Sequence, residues 1–212
     1  MSAIIRRALR KAERARVRAM WMAHRAHGRR PIAVFLGDSI TEQWLEHDPG
    51  FFRGKRRRNA GRGGETSADM RARFERDVLK VAPRVVHIMA GTNDLWHGDP
   101  GPEASRAIAN IADMAARAKA AGIAVILAAP PPIGANAVPL FGRPGLLPIL
   151  REGVARLCGP GGPVHVDYAA SLSDGMGGIR RELTTDGVHL TRAGYHAIRA
   201  QAERALAAAL PE

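Results

Sequence analysis

The feature of this sequence that most restricts its fold is a short apolar run that recurs before a turn cluster and a helical pattern. The runs are Ile32 to Leu36, Val85 to Met89, Ile123 to Ala128, and Val164 to Val166 with its flanking residues. Short runs that are mostly apolar are typical of parallel strands buried on both faces, and their alternation with helices is that of βαβ units. We therefore expect an α/β fold on a parallel sheet. A fifth strand is expected near Arg57 to Ala60, although its composition is strongly basic.

The helical patterns end where glycine or proline stops them. They cover Ala68 to Lys80, Glu103 to Ala120, Leu146 to Leu157 and Thr191 to Leu210. Each is followed within three residues by Gly or Pro, as helix ends usually are. From Pro130 to Gly145 no secondary structure is expected, and loops of this length in compact domains are usually functional or disordered.

Most of the positive charge lies at the start of the chain. The 212 residues carry a formal net charge of +12. Residues 1–30 hold ten Lys or Arg and one acid, Glu13, which gives +9 and leaves +3 for the rest. We predict a basic helical arm over residues 1–30 and one α/β domain over residues 31–212.

Composition excludes several other classes of protein. No apolar run approaches the roughly 18 residues of a membrane span. The longest apolar stretch of the arm, residues 19–23, is shorter than the h-region of a secretory signal, so a cytoplasmic location is expected. Cys158 is a lone cysteine and forms no intramolecular disulfide. The histidines at 47, 87, 97 and 165 show no paired ligand spacing, so no metal site is expected.

Reactive side chains follow the predicted strands. Residues 37–41 read Gly-Asp-Ser-Ile-Thr, residues 91–94 read Gly-Thr-Asn-Asp, and residues 186–189, ahead of the last helix, read Asp-Gly-Val-His. In an open parallel sheet, ligands bind at the carboxyl ends of the strands. Each stretch alone is an ordinary turn or helix cap. Their joint occurrence at strand ends and a helix start favours an active site.

The residue types in these stretches suit nucleophilic catalysis. The hydroxyl of Ser39 is a weak nucleophile that needs a base, which His189 can supply. Asp186 lies three residues before His189, so one tight turn presents both side chains and the carboxylate can orient the imidazole. The amide of Asn93, the turn at residues 61–64 and the N–H of Ser39 together offer donors for an oxyanion hole.

Four sequence blocks resemble those of the GDSL/SGNH hydrolase family. They are Val34 to Thr41, Asn59 to Ser67, Gly91 to Asp94 and Thr185 to Leu190, within a resemblance that covers roughly residues 31–210. The resemblance implies a three-layer α/β/α, flavodoxin-like sheet, ester hydrolysis through an acyl-enzyme, and no metal or organic cofactor. It implies that Ser39, Asp186 and His189 form the triad. It also implies that the N–H of Ser39, Gly64 and Asn93 form the oxyanion hole, with Gly63 as the alternative to Gly64.

The substrate is less constrained by the sequence. Trp44, Leu95, Trp96 and Ile133, with Leu140 and Phe141, are expected to line the site or to pack its loops. Short acyl chains are expected, because no stretch of the chain is left over for a large lid. Acetylated sugars, lysophospholipids and thioesters remain alternatives. The glycine-rich turn lacks both the G-x-G-x-x-G spacing and a Gly-Lys-Ser/Thr ending, which argues against a nucleotide site.

An alternative hypothesis is that the chain is a binding protein whose basic arm docks on an anionic membrane or a nucleic acid. The presence of all three predicted triad residues argues against a catalytically inactive domain. The arm itself is either such a docking device or a solvated extension.

Deleting residues 1–28 tests the role of the arm. We expect kcat on a small soluble ester to be nearly unchanged, because every residue assigned a catalytic role lies between Ser39 and His189. Binding to anionic vesicles or nucleic acid should fall, since most of the arm's charge is removed. Co-sedimentation at low and high salt measures this binding. Loss of activity together with cooperative unfolding would show instead that the arm packs as part of the domain.

Overall fold

A five-stranded parallel sheet lies at the centre of the computed structural model, which describes residues 30–96, 103–137 and 144–210. The strands are β1 (Ala33–Gly37), β2 (Arg57–Gly61), β3 (Val85–Met89), β4 (Ala124–Ala129) and β5 (Val164–Asp167). Their order is β2-β1-β3-β4-β5, and every pair is parallel. This is the flavodoxin-like order. The predicted fold class is confirmed, including the basic strand β2.

Helices connect the strands and cover the sheet. They are α1 (Ser39–His47), α2 (Pro49–Phe52), α3 (Ser67–Phe74), α4 (Thr92–Trp96), α5 (Glu103–Ala120), α6 (Leu147–Arg156), α7 (Ala169–Leu172) and α8 (Arg192–Ala209). A π-helical turn, Glu75–Leu79, continues α3, and 3-10 turns span Pro144–Leu146 and Arg181–Leu183. The four helical patterns are confirmed to within about two residues. In the predicted loop, residues 130–137 contain no helix or strand, and residues 138–143 lie outside the described residues.

One face of the sheet is aliphatic. Val34 and Leu36 of β1 point to it, because side chains alternate along a strand. Helix α5 packs against both α3 and α6 on this face. They contribute fully or almost fully buried side chains, among them Met70, Phe74, Ile111, Met114, Leu150 and Val154. Each such side chain stabilises the fold by about 1.5–3 kcal/mol relative to an exposed one.

The other face is aromatic. Phe35, between Val34 and Leu36, points to it and packs edge-on against Trp44 of α1 at 5.8 Å. Trp44 stacks on Phe51 at 4.6 Å and lies 5.8 Å from Tyr195 of α8. Aromatic pairs of this kind contribute about 0.5–1.5 kcal/mol beyond their buried area. This cluster fixes α1 and α8, the two helices that begin beside the candidate site, against the same part of the sheet.

Two further expectations concern the arm and membranes. Residues 1–29 lie outside the described residues, so the helical arm stays a prediction. Within the described part of the chain, no helix is both long enough and apolar enough to cross a membrane.

His87 is a polar residue inside the aromatic face. Its side chain is buried, its ring stacks on Phe35 at 4.7 Å, and its Nε2 shares a 2.9 Å hydrogen bond with the hydroxyl of Tyr168. Nδ1 has no partner among the described residues. Burial lowers the pKa of His87 to about 3, because a charged imidazole would lose its hydration there.

His87 should therefore make the fold sensitive to acid. In the unfolded chain its pKa is about 6.5, so the unfolded state takes up the proton first and the free energy of unfolding falls as the pH drops below that value. Relative to His87→Gln, which does not titrate, wild type should lose about 2 kcal/mol between pH 7 and pH 5. Urea denaturation across this pH range measures it. His165→Gln, on the exposed side of β5, is the control and should follow wild type; parallel pH curves for wild type and His87→Gln would contradict the account.

Candidate active site

The carboxyl ends of β1, β2 and β3 meet at one edge of the sheet. Gly37 at the end of β1 lies opposite both Gly61 and Met89. A Cβ at Gly61 would lie 2.1 Å from the backbone nitrogen of Glu42, so only glycine allows the first turn of α1 to cross the end of β2. The N–H of Arg62 donates to the carbonyl of Gly37 at 3.0 Å. The glycine-rich turn is thereby tied to the turn that carries Ser39.

Ser39 is the first residue of α1. Asp38 caps this helix, and its Oδ1 accepts a 2.9 Å hydrogen bond from the N–H of Ile40. The side chain of Ser39 is half-buried at this sharp strand-to-helix turn. The start of a helix directs backbone N–H groups and a positive partial charge outward. Negative charge that develops near Ser39 would be stabilised there.

Ser39, His189 and Asp186 form a continuous hydrogen-bonded chain. The Oγ of Ser39 lies 2.9 Å from Nε2 of His189, and Nδ1 of His189 lies 2.7 Å from Oδ2 of Asp186. An ionised carboxylate only accepts, so Nδ1 carries the hydrogen and donates to Asp186. Nε2 is then the acceptor for the Ser39 hydroxyl. This is the arrangement of an activated serine nucleophile.

A tight turn presents the two partners of Ser39. Oδ1 of Asp186 accepts from the backbone N–H of Val188 at 2.9 Å and of His189 at 2.8 Å. Gly187 adopts a φ of +89°, and its carbonyl accepts from the N–H of Gly134 at 2.7 Å. Such a backbone strongly favours glycine. The three-residue spacing of Asp186 and His189 thus produces the turn that the sequence predicted.

Burial and hydrogen bonding shift the pKa values of the carboxyl groups at the site in opposite directions. For Asp186, burial alone would raise the pKa, but the hydrogen bonds from the ring and backbone of His189 and from Val188 outweigh it and lower the pKa. For Asp38, burial dominates and raises the pKa to about 6, although the hydrogen bond from Ile40 and the charge of His189 pull it down. Asp186 is therefore the carboxylate that stays charged beside the imidazole.

Asn93 and Asp94, at the start of α4, hold the loop that follows β2. Nδ2 of Asn93 donates to the carbonyl of Glu65 at 2.9 Å, and Oδ2 of Asp94 accepts from the N–H of Ser67 at 2.8 Å. An amide nitrogen carries two hydrogens, so Asn93 keeps a second donor beside this contact. The structure thus brings the second and third sequence blocks together.

The two glycines considered for the oxyanion hole differ in their contacts. The N–H of Gly63 donates to Oε2 of Glu42 at 2.9 Å. The N–H of Gly64 has no acceptor among the residues that the structure describes, and Gly64 has a φ of +80° with no atom within 4 Å of an added Cβ. An engaged donor is less available to a substrate oxygen. The geometry therefore favours Gly64 over Gly63.

Two of the residues expected to line the substrate site are buried in the core instead. Trp44 and Leu95 are both 0% exposed, so the expectation that they line the site is wrong. Trp44 belongs to the aromatic face, and Leu95 belongs to the aliphatic core. Ile133 is 6% exposed in that same core, and Trp96 packs against it while partly exposed. Trp96 and Ile133 stay predictions; Leu140 and Phe141 lie outside the described residues.

An apolar cavity of about 460 Å³ lies at the opposite edge of the sheet, where β4 and β5 begin. It is lined by Ala115, Lys119, Ile123, Val125, Val164 and Ala208, among others. Its described lining contains no Ser, His, Asp or Glu. Because reactive groups define a catalytic site better than volume does, we place the candidate site at the hydrogen-bonded chain of Ser39. The described residues contain no group of three or more His, Cys, Asp or Glu suited to hold a metal.

Arg73 was not singled out from the sequence. It is a buried arginine of α3 whose Nη2 donates to the carbonyl of Gly37 at 3.3 Å. The sequence does contain a signal for it. Arg73 lies three residues after Met70 and directly before Phe74, on the apolar side of the helix. A charge at such a position is almost always paired.

Known proteins with a similar sequence or structure indicate the family to which the chain belongs. Residues 35–197 match the model of the GDSL-like lipase/acylhydrolase family. The structure is similar to that of a GDSL-like lipase from Bacteroides thetaiotaomicron VPI-5482, with a TM-score of 0.79 and 28% identity over 91% of this chain and 98% of that chain. It is also similar to a catalytic mutant of Axe2, an acetylxylan esterase from Geobacillus stearothermophilus, with a TM-score of 0.64 and 21% identity over 82% of this chain and 93% of that chain. At that identity the likeness shows the fold alone.

Among curated proteins, a segment of 72 residues is 40% identical to the uncharacterized lipoprotein YqeF of Bacillus subtilis (strain 168). That match spans 32% of this chain and 30% of YqeF. The family model covers far more of the chain, from β1 to the first turns of α8. The chain therefore belongs to the GDSL-like lipase/acylhydrolase family and is an ester-hydrolysing enzyme.

Proposed function

We propose that the protein hydrolyses carboxylic esters of short acyl groups through an acyl-enzyme formed on Ser39. The observation that carries this proposal is the chain of hydrogen bonds from Ser39 through His189 to Asp186, at 2.9 Å and 2.7 Å. It provides a nucleophile, a base within reach of that nucleophile, and a carboxylate that orients the base.

Acylation follows from this geometry. Nε2 of His189 takes the proton of the Ser39 hydroxyl as Oγ attacks the ester carbonyl carbon. The resulting imidazolium is stabilised by Asp186, whose lowered pKa keeps it ionised. His189 then returns the proton to the departing alcohol. The products of this half-reaction are a free alcohol and an acyl group bound to Ser39.

The negative oxygen of the tetrahedral intermediate needs donors that are already in place. We assign this role to the N–H of Ser39, the N–H of Gly64 and the second Nδ2 hydrogen of Asn93. The helix start at Ser39 and the unengaged N–H of Gly64 support the assignment. Water, deprotonated by His189, then attacks the acyl carbon, and the same donors stabilise the second intermediate. Its collapse breaks the bond to Oγ and releases the carboxylic acid, while His189 returns the proton to Ser39.

A second candidate is the removal of O-acetyl groups from sugars. Axe2, which has the same fold, is an acetylxylan esterase, and the triad proposed here would serve that reaction by the same mechanism. Two of the similar structures are catalytic mutants of Axe2 in which a serine or an aspartate is replaced by alanine, so a serine and an aspartate serve catalysis in that enzyme. Hydrolysis of lysophospholipids or thioesters is an alternative for the same triad. The cytoplasmic location and the docking of the arm on anionic partners are proposals as well, based on the sequence alone.

Ser39→Ala tests the nucleophile. Activity on an aryl acetate should fall by at least about 10⁴-fold, because without Oγ only binding and oxyanion stabilisation remain. The free energy of unfolding should change little, since Ser39 is only half-buried. Steady-state kinetics and urea denaturation measure the two quantities. Undiminished turnover by a folded variant would refute the mechanism.

Asn93→Ala tests the oxyanion hole. We expect kcat to fall by about 10²–10³-fold with little change in KM, because this donor acts mainly in the transition state. Asn110→Ala is the matched control, since Nδ2 of Asn110 also donates to the loop after β2, at Ser67 Oγ, 3.0 Å away. The control should keep nearly full activity. A rise in KM alone for Asn93→Ala would make Asn93 a substrate-binding residue instead.

The acyl preference is tested with a series of aryl esters. We expect acetyl to butyryl esters to be the best substrates, because Trp44 and Leu95 are buried in the core instead of lining the site, and the apolar cavity beside Ile123 and Val125 lies at the other end of the sheet from the triad. Each methylene buried in a tunnel would add about 0.8 kcal/mol of binding. A value of kcat/KM that rises steadily through the dodecanoyl ester would overturn this prediction.

A further inference from the structure

We propose that Arg73 is a positioning residue that holds the three oxyanion donors relative to one another. The inference rests on the proposed function, because it concerns the geometry of that same site. Arg73 itself touches neither the nucleophile nor the base. Its effect on catalysis is exerted through the backbone of the two loops it joins.

The guanidinium of Arg73 makes three separate contacts. Nη2 donates to the carbonyl of Gly37 at 3.3 Å, Nε donates to Oε2 of Glu65 at 2.6 Å, and Nη1 donates to Oδ2 of Asp77 at 2.9 Å. The side chain is 5% exposed, so water competes little for these donors. A planar guanidinium offers donors in fixed, divergent directions, which an ammonium does not.

One of these contacts reaches the backbone of the Ser39 turn, at Gly37, and a second reaches the side chain of Glu65, beside Gly64. Gly37 lies two residues before Ser39. Glu65 directly follows Gly64, and the carbonyl of Glu65 accepts the hydrogen bond from Asn93. Arg73 therefore joins the turn of Ser39 to the loop of Gly64, and through Glu65 to Asn93. A shift of about 1 Å in any of these donors is enough to lower the rate about 10²-fold.

The third contact, from Nη1 of Arg73 to Asp77, holds the guanidinium in place. Asp77 is buried and also accepts from Arg62 at 2.9 Å and from Arg76 at 2.9 Å. Burial would raise its pKa, but the hydrogen bonds from Arg76 and Arg73 outweigh it and lower the pKa to about 2. Asp77 is thus a fixed negative charge at neutral pH. Without Arg73 it still has Arg62 and Arg76, and Glu65 still has Arg62 at 3.7 Å, so loss of Arg73 leaves neither carboxylate unpaired.

The test compares Arg73→Met and Arg73→Lys with two controls. Arg71→Met lies on the same helix and loses an exposed contact to Asp113 at 2.8 Å. Arg76→Met removes hydrogen bonds to Asp77 but none to Gly37 or Glu65. Each variant is first checked by urea denaturation and then assayed for kcat and KM on an aryl acetate.

We expect Arg73→Met to lower kcat about 10–100-fold while KM changes by less than about twofold. Arg73→Lys should recover part of kcat, since it restores the charge and one of the three contacts. Both controls should stay within about twofold of wild type, as exposed ion pairs contribute little.

A double-mutant cycle separates positioning from general destabilisation. In the Asn93→Ala background, Arg73→Met should lower kcat by clearly less than it does in wild type, because one of the three donors that Arg73 positions is already missing and residues that act as a unit are not additive. An equal loss in both backgrounds, or a loss matched by Arg76→Met, would overturn the inference. If Arg73→Met fails to fold, the same cycle is run with Arg73→Lys. Full activity of Ser39→Ala would instead refute the proposed function, so the two failures are distinguishable.

Discussion

The parallel register of β1 with both of its neighbours is the constraint on which the site depends. Gly37 is paired with Gly61 on one side and with Met89 on the other, so β1, β2 and β3 end at the same level of the sheet. A slip of one residue would move a segment by about 3.3 Å and reverse its buried face. The hydrogen bonds from Arg62 to Gly37 and from Asn93 to Glu65, which join the turns after β1, β2 and β3, would then be lost. The aliphatic and aromatic faces of the sheet resist such a slip, because it would bring Phe35 out of its cluster.

The base reaches the nucleophile from the far end of the chain. Ser39 and His189 are 150 residues apart, so their hydrogen bond requires that α8 be docked beside α1. The hydroxyl of Tyr195 donates to the carbonyl of Ile40 at 2.7 Å, and Nη1 of Arg199 lies 3.0 Å from Oδ1 of Asp48. Both contacts join α8 to the segment that begins at the nucleophile. The catalytic geometry is therefore carried by packed helices, while the loop of Asp186 supplies the fine orientation.

The sequence predicted the parts of this structure that depend on local pattern. Apolar runs predicted four of the five strands, Gly and Pro predicted the helix ends, and the short spacing of Asp186 and His189 predicted the turn. Whether an apolar side chain near the site faces the cleft or the core is not local. Trp44 follows Ile40 by four residues, so the helical period could have placed both on the buried side of α1. The contacts of Arg73 were not predictable in this way, because Gly37, Glu65 and Asp77 meet it only after the sheet has formed.

Covalent trapping measures whether His189 activates Ser39 as the nucleophile. Wild type is treated with an aryl organophosphonate, and the intact protein and its peptides are analysed by mass spectrometry. We expect one adduct per chain, located on Ser39, and a much slower reaction in His189→Ala, because the serine hydroxyl has then lost its base. An adduct on another serine, or labelling of His189→Ala at the rate of wild type, would contradict the account.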